Sequence, residues 1–252
     1  MEQVFREVAE KCRKANFMEA VIQKAHYAPE DRELLWSVLE KILACMAEGA
    51  AVSDRDALER QEERTTEATA LDGPRKSVRE VVMTLGKGVD ELQDQFLSDG
   101  LLTEAYMVEV LGSEILLLAY AAYNAWVREH ADAVVKRYYF LGTGESFRAD
   151  EDDEKGGDAK EIPLDVEAIP GMLKRSGLPV TCTEGYCMVP KKSVAFYAEL
   201  TKDKTVACEG ICMGCGRADC PNRMSGGERQ QGNQGLDRPL TYGYARILGL
   251  FS

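Results

Sequence analysis

Apolar positions along the chain fall into two patterns. Leu34, Leu35, Val38, Leu39, Ile42 and Leu43 recur three and four apart, the spacing that gathers side chains on one face of a helix. Ala28-Pro29-Glu30-Asp31 stands just before them. A proline in the first turn with acids behind it marks a helix start. Residues 1 to about 70 read as helical, with Ser53–Ala70 so polar that it suits only a solvated helix or a linker. Leu71-Asp72-Gly73-Pro74 breaks the pattern, and it is taken as the end of an N-terminal helical segment, residues 1–72.

The second pattern, short runs of β-type residues, starts at Val78–Leu85 and ends at Gly86 and Gly88. A helix is predicted over about 89–98 and a longer one over about 103–130, with Thr103 as its N-cap. Between Ile115 and Tyr123 that helix is apolar on most of its circumference, which suits the centre of a fold. Arg137–Leu141 is β-rich and runs into Gly142-Thr143-Gly144. Residues 148–161 are acidic and read as a loop. Leu164–Ser176 reads as a short helix that Gly177 stops, and 180–183 and 193–200 read as strands. Glycine and glutamine crowd Gly226–Pro239, so 225–252 is expected to be an irregular arm.

Charge narrows the partners. The 252 residues carry a formal charge of −12, which repels phosphate backbones and argues against nucleic acid. The most apolar run is too short for a bilayer, and the charged start Met-Glu-Gln-Val-Phe-Arg-Glu lacks a signal-peptide core. No membrane association and a cytoplasmic location are expected.

Cysteine placement carries the sharpest chemical signal. Cys208, Cys212, Cys215 and Cys220 fall within thirteen residues, with Pro221 after the last and Gly210, Gly214 and Gly216 between them. Four thiolates so close can surround one metal centre, and in a reducing compartment such clustering points to metal rather than disulfides. Backbone amides around glycine can donate to sulfur and tune it. The first three cysteines match the spacing of radical S-adenosylmethionine enzymes, but Cys220 would fill the iron that such enzymes leave open. A [4Fe–4S] cluster is favoured; tetrahedral zinc and unligated redox thiols are the alternatives. Cys182 and Cys187 could be extra ligands but read rather as small buried residues. His26 and His130 have no partner at metal spacing and read as surface or cap residues.

Two blocks carry a family resemblance. Leu178–Tyr197 (LPVTCTEGYCMVPKKSVAFY) keeps Thr183, Glu184, Met188, Pro190, Ser193 and Val194 in one ungapped order. Val81–Leu118 holds Thr84-Leu85-Gly86-Lys87, then Glu104-Ala105-Tyr106 and Leu111-Gly112-Ser113. Together they resemble the activation domain of cobalamin-dependent methionine synthase and its free-standing bacterial versions, over about residues 79–223. The resemblance implies an α+β fold, a curved domain with a bent antiparallel sheet and surrounding helices, over residues 73–205, with the four-cysteine metal motif at 206–224. It implies a shallow S-adenosylmethionine groove and docking over the cobalamin of a partner protein. An electron and the methyl group of S-adenosylmethionine would there restore methylcobalamin from cob(II)alamin.

The groove maps to Arg137, Gly142, Thr143, Gly144 and Glu184. Gly142 matches the family's ligand loop. Tyr138 stands where the family has its arginine, with Arg137 one residue early, and Thr143 replaces a tyrosine. A one-residue slip in a strand turns a side chain to the opposite face. The implied partners are a corrinoid-binding protein or methyltransferase and an electron-donor protein. The chain lacks the Asp-x-His-x-x-Gly motif for holding a corrinoid itself. Its alternative role is a non-catalytic binding module of the same fold with structural zinc; a methyltransferase acting on a small molecule or metal is a third, weaker reading.

Overall fold

The computed structural model describes residues 2–57, 77–143, 146–148 and 161–208. Three helices open the chain: α1 (Glu2–Cys12), α2 (Ala15–Ala25) and α3 (Arg32–Gly49). The α3 start is as the sequence predicts, with a short 3-10 turn at Pro29–Asp31 whose Asp31 carboxylate accepts from the Ala28 amide at 3.1 Å. Then come strand β1 (Ala51–Asp56), β2 (Ser77–Thr84), α4 (Lys87–Ser98), α5 (Leu102–His130) and β3 (Val134–Phe140). A two-stranded ribbon pairs β4 (Ser146–Arg148) with β5 (Glu161–Pro163). Helix α6 (Ile169–Ser176) follows, then the hairpin β6 (Thr181–Cys182) and β7 (Met188–Val189), and last β8 (Ser193–Thr201).

The fold is α+β. Its main sheet is antiparallel in the order β1-β2-β8-β3. Both faces are covered, and strand alternation assigns each residue to one of them. Val81, Met83, Phe196, Ala198, Val135 and Tyr138 face a helical layer and share one core with α1–α5. Val78, Val82, Ala195 and Tyr197 face the other way, against Phe147, Ile162 and α6.

Helix α5 is the axis of the helical layer. By length and composition alone it could cross a membrane; here 67% of its most apolar window is buried inside the protein. It is a core helix, as the Ile115–Tyr123 pattern predicts. Helices α1 and α3 pack against it, so the first fifty residues complete the same core as the sheet. The boundary expected at residue 72 lies outside the described residues.

Three local expectations are corrected. The polar stretch from Ser53 begins as strand β1, not as a helix or linker. Its Asp54 faces the helical layer and is held by Arg79 of β2 at 2.6 Å, so pairing rather than apolarity makes this strand. Thr103 does not cap α5; Leu101 occupies that position, with no side-chain cap. The helix predicted from Leu164 starts at Ile169, after a 3-10 turn at Val166–Ala168, and Pro170 fits its first turn.

Gly86, between β2 and α4, has φ +86° and ψ 161°, a region that essentially only glycine occupies. A Cβ there would lie 2.6 Å from the Gly49 carbonyl carbon. This close backbone approach locks the end of α3 to the start of α4. Gly86→Ala should therefore lower the unfolding free energy by about 3 kcal/mol or more. Gly100→Ala, also at positive φ but in open space, should cost only about 1–2 kcal/mol. Urea denaturation of the two variants checks the contrast.

Candidate functional site

Residues 81–118 and 178–197 meet at one place, where β2, α4, α5 and the β7–β8 turn converge. The Leu85 amide donates to the Lys192 carbonyl at 2.9 Å. Ser193 Oγ donates to Thr84 Oγ1 at 2.8 Å, and Thr84 Oγ1 also accepts from the Gly86 amide at 3.0 Å. The Lys191 amide donates to Asp90 in the first turn of α4 at 2.8 Å. Lys192 runs its stem over Gly112 of α5, where an added Cβ would meet Lys192 Cε at 3.1 Å. Its ammonium reaches Glu109 at 2.5 Å and Ser113 Oγ at 3.0 Å. Thr84, Gly86, Gly112, Ser113 and Ser193 thus form a joint that fixes how the block hairpin enters β8.

Lys192 is the member of this joint that sequence reasoning missed. A lysine only 7% exposed is rare unless paired. The signal available was its place between Pro190 and the β8 apolar run, opposite a Leu-Gly-Ser step that leaves room for a stem.

The hairpin holds Glu184. The Thr183 amide donates to the Cys187 carbonyl at 2.9 Å, the Cys187 amide to Thr183 Oγ1 at 3.2 Å, and the Tyr186 amide to the Thr183 carbonyl at 3.0 Å. Thr183 is therefore a turn-former, and Glu184 at the tip is exposed. Cys182 pairs with Met188 and Thr183 with Cys187, so Cys182 and Cys187 point to opposite faces of the hairpin. Both are free thiols, Cys182 half-buried and Cys187 exposed rather than buried as expected, because Cys187 follows the hairpin tip on the outer side of the turn.

Strand β3 distributes the remaining groove residues. A bulge between Val135 and Arg137 sets Arg137 opposite Glu199, Tyr138 opposite Ala198 and Tyr139 opposite Tyr197. Arg137 lies beside the Tyr139 ring at 5.8 Å, on the α6 side. Tyr138 points into the helical core, fully buried, with its hydroxyl donating to Asn124. Gly142 follows with φ +91°; its amide donates to the Leu164 carbonyl at 2.6 Å, and a Cβ would strike Val166 at 2.9 Å. The Thr143 hydroxyl is buried and has no hydrogen-bond partner among the described residues. Gly144 lies outside them. Arg137, Tyr139 and Leu141 share one strand face, and Leu141, Val166, Tyr186 and Met188 all border the second core.

That sheet face also buries carboxylates. Glu80 takes a two-pronged ion pair from Arg175 of α6, at 2.6 and 2.8 Å. Glu199, 3% exposed, accepts from Lys136 at 2.9 Å and from the Tyr139 hydroxyl at 2.6 Å. Burial, and then the Glu199 hydrogen bond, push the Tyr139 phenol well above its ordinary range. Burial also raises Tyr197, with Glu80 adding to it.

Of the four metal-motif cysteines, Cys208 is described; Cys212, Cys215 and Cys220 lie outside the described residues. Cys208 packs partly buried against the helical core, close enough to Tyr138 for its charge to raise that phenol further after burial has done most. Among the described residues no group of three or more His, Cys, Asp or Glu could hold a metal ion. Comparison with protein-family models and with curated proteins gives no match for this chain.

Two expectations follow from these pairs. Arg175→Met strands Glu80 on the buried sheet face, so stability at neutral pH should fall by about 3 kcal/mol, and Glu80→Gln added to it should restore much of the loss; urea melts of the single and double variants measure this. Burial raises the Glu109 carboxyl, but the hydrogen bond and charge of Lys192 outweigh it, and the net shift is downward. A depressed carboxyl gives stability that is present above the unfolded value and lost as pH falls through the folded one. Glu109→Gln should therefore flatten the acid limb of the stability profile below about pH 4.5, read by chemical denaturation across pH.

Proposed function

We propose that this chain is an accessory protein for reductive reactivation of a corrinoid methyltransferase such as methionine synthase. It would be cytoplasmic and would dock on the corrinoid domain of a partner. The fold in this reading is the curved sheet-and-helix fold of the methionine synthase activation domain. The carrying observation is the chemistry of the donor set: four thiolates within thirteen residues, directly behind the strand that the Leu178–Tyr197 block forms. Cys208, Cys212, Cys215 and Cys220 fit a [4Fe–4S] cluster, which would supply a low-potential electron, and they fit zinc equally by number.

For S-adenosylmethionine, two observations favour a ligand loop after β3. Gly142 is held at positive φ, and the buried Thr143 hydroxyl lacks a partner among the described residues. Arg137 and Gly142 would hold the ligand's carboxylate end, with Thr143 offering a donor. The part of Glu184, exposed at the hairpin tip, rests on the sequence motif.

The second reading is a binding module with structural zinc, with no S-adenosylmethionine bound. It is favoured by Tyr138, which fills the arginine position and points into the core. Anaerobic purification with metal and sulfide analysis separates the two. The first reading expects a brown protein with iron and sulfide in equal amounts, bleached by dithionite, and loss of both in Cys215→Ser. One zinc and no sulfide would establish the second and sink the first. Calorimetry with S-adenosylmethionine, on wild type and Arg137→Ala, tests the loop.

A further inference from the structure

Four of the large apolar side chains most exposed to solvent among the described residues lie within ten residues of one another. Leu97, Leu101, Leu102 and Tyr106 are 49%, 41%, 67% and 58% exposed. They surround the turn between α4 and α5, and that turn is tightly closed. Gly100, at φ +75°, donates its amide to the Leu97 carbonyl at 3.2 Å, and the Leu101 amide donates to the Phe96 carbonyl at 2.8 Å. Such a glycine-closed helix end asks for one apolar residue, here Leu101, to cover its last turn. It has no need of Leu97, Leu102 or Tyr106. Leu102 and Tyr106, four apart, share one face of α5, and Tyr27 packs its ring beside Tyr106 at 6.3 Å. An occupant would meet this surface already shaped, with little ordering left to oppose binding.

Charge decides what kind of occupant fits. Asp99 in the turn and Glu104 in the first turn of α5 have no ion-pair partner among the described residues, and Asp94, one turn before Leu97, is bridged by Lys191 at 3.5 Å. Lys41 of α3 is laid over the Phe96 ring at 4.9 Å, so the rim stays acidic. An anionic membrane surface or a phosphate backbone would be repelled by it. A second copy of the chain would bring another −12 of charge and set a like rim against this one. An apolar centre inside uncompensated carboxylates matches an apolar surface flanked by lysine or arginine. The patch is narrow, a few side chains about one helix–turn–helix corner, which suits a single helix laid across it.

We propose that the α4–α5 turn is a docking surface for a cationic amphipathic helix of a partner protein, whose apolar face covers Leu97, Leu101, Leu102 and Tyr106 while its lysines or arginines meet Asp99 and Glu104. This goes beyond the corrinoid reading and does not depend on it.

The test uses the full-length chain and, as probe, a labelled synthetic peptide of about 18 residues, five helical turns, with leucine on one stripe and lysine elsewhere. Fluorescence anisotropy should show saturable binding that high salt weakens. Leu102→Asp should weaken it by about tenfold, the loss of one buried leucine. Attraction by charge alone would instead tighten it, because that change adds a negative charge. Leu102→Ser, which adds none, should also weaken it, as should Asp99→Asn combined with Glu104→Gln. A photo-crosslinking benzoylphenylalanine in place of Tyr106 should link to the peptide. Absence of binding, equal binding of a peptide with the same residues scrambled off the stripe, or Leu102 variants that bind as well as wild type would each overturn the proposal. So would crosslinks to the same chain or to a second copy that the peptide does not displace. Circular dichroism of each variant confirms that the fold is kept.

Discussion

Everything in this protein turns on strand β8 being covered on both faces. Its Phe196 and Ala198 belong to the helical core, and its Ala195, Tyr197 and Glu199 belong to the α6 side. An antiparallel sheet with one solvated face can leave carboxylates there at no cost. Here the second face is closed, so Glu80 and Glu199 must be paired or they would oppose folding. Arg175, Lys136 and Tyr139 meet that demand. The Glu80–Arg175 pair also determines where α6 lies, because a planar two-pronged contact tolerates little rotation. The small second layer is thus positioned by charge as much as by its modest apolar core.

The helical side is organised by close approach instead. Gly112 lets the Lys192 stem lie on α5, and Gly86 lets α3 and α4 meet at backbone distance. Both glycines do packing work in this structure. The joint around Thr84 and Ser193 explains the motif's polar residues in the same way: they close hydrogen bonds between β2 and β8 and cap the turn into α4.

Long, strongly patterned elements were legible in the sequence. Helix α5, β2, β8 and α3 follow from apolar spacing, and Gly177 ends α6 at positive φ as expected. Strand β1 was not legible, because its Asp54 and Asp56 give no apolar alternation. Its inward acid is matched by Arg79, a residue distant in sequence, and Asp54 is pushed upward by burial against that pull. The site was legible in pieces. The family resemblance singled out Gly142, where the backbone does take a positive φ; the cysteine cluster, read from its spacing, lies outside the described residues except for Cys208. The β3 bulge was invisible, since one extra residue leaves no mark in composition, yet it fixes the faces of Arg137 and Tyr138.

That alternation has a consequence for how the two candidate centres relate. Arg137, Tyr139 and Leu141 belong to the α6 side of β3, whereas Tyr138, with Cys208 near it, belongs to the helical side. The proposed ligand loop and the anchor of the thiolate segment therefore lie across one sheet, whose two faces are each about 5 Å from its mid-plane. β3 is an edge strand, bonded to β8 alone among the described residues. A chain leaving β8 at Thr201 and reaching Cys208 is already at that edge. The twelve residues from Cys208 to Cys220 can extend about 40 Å, so either face is in reach.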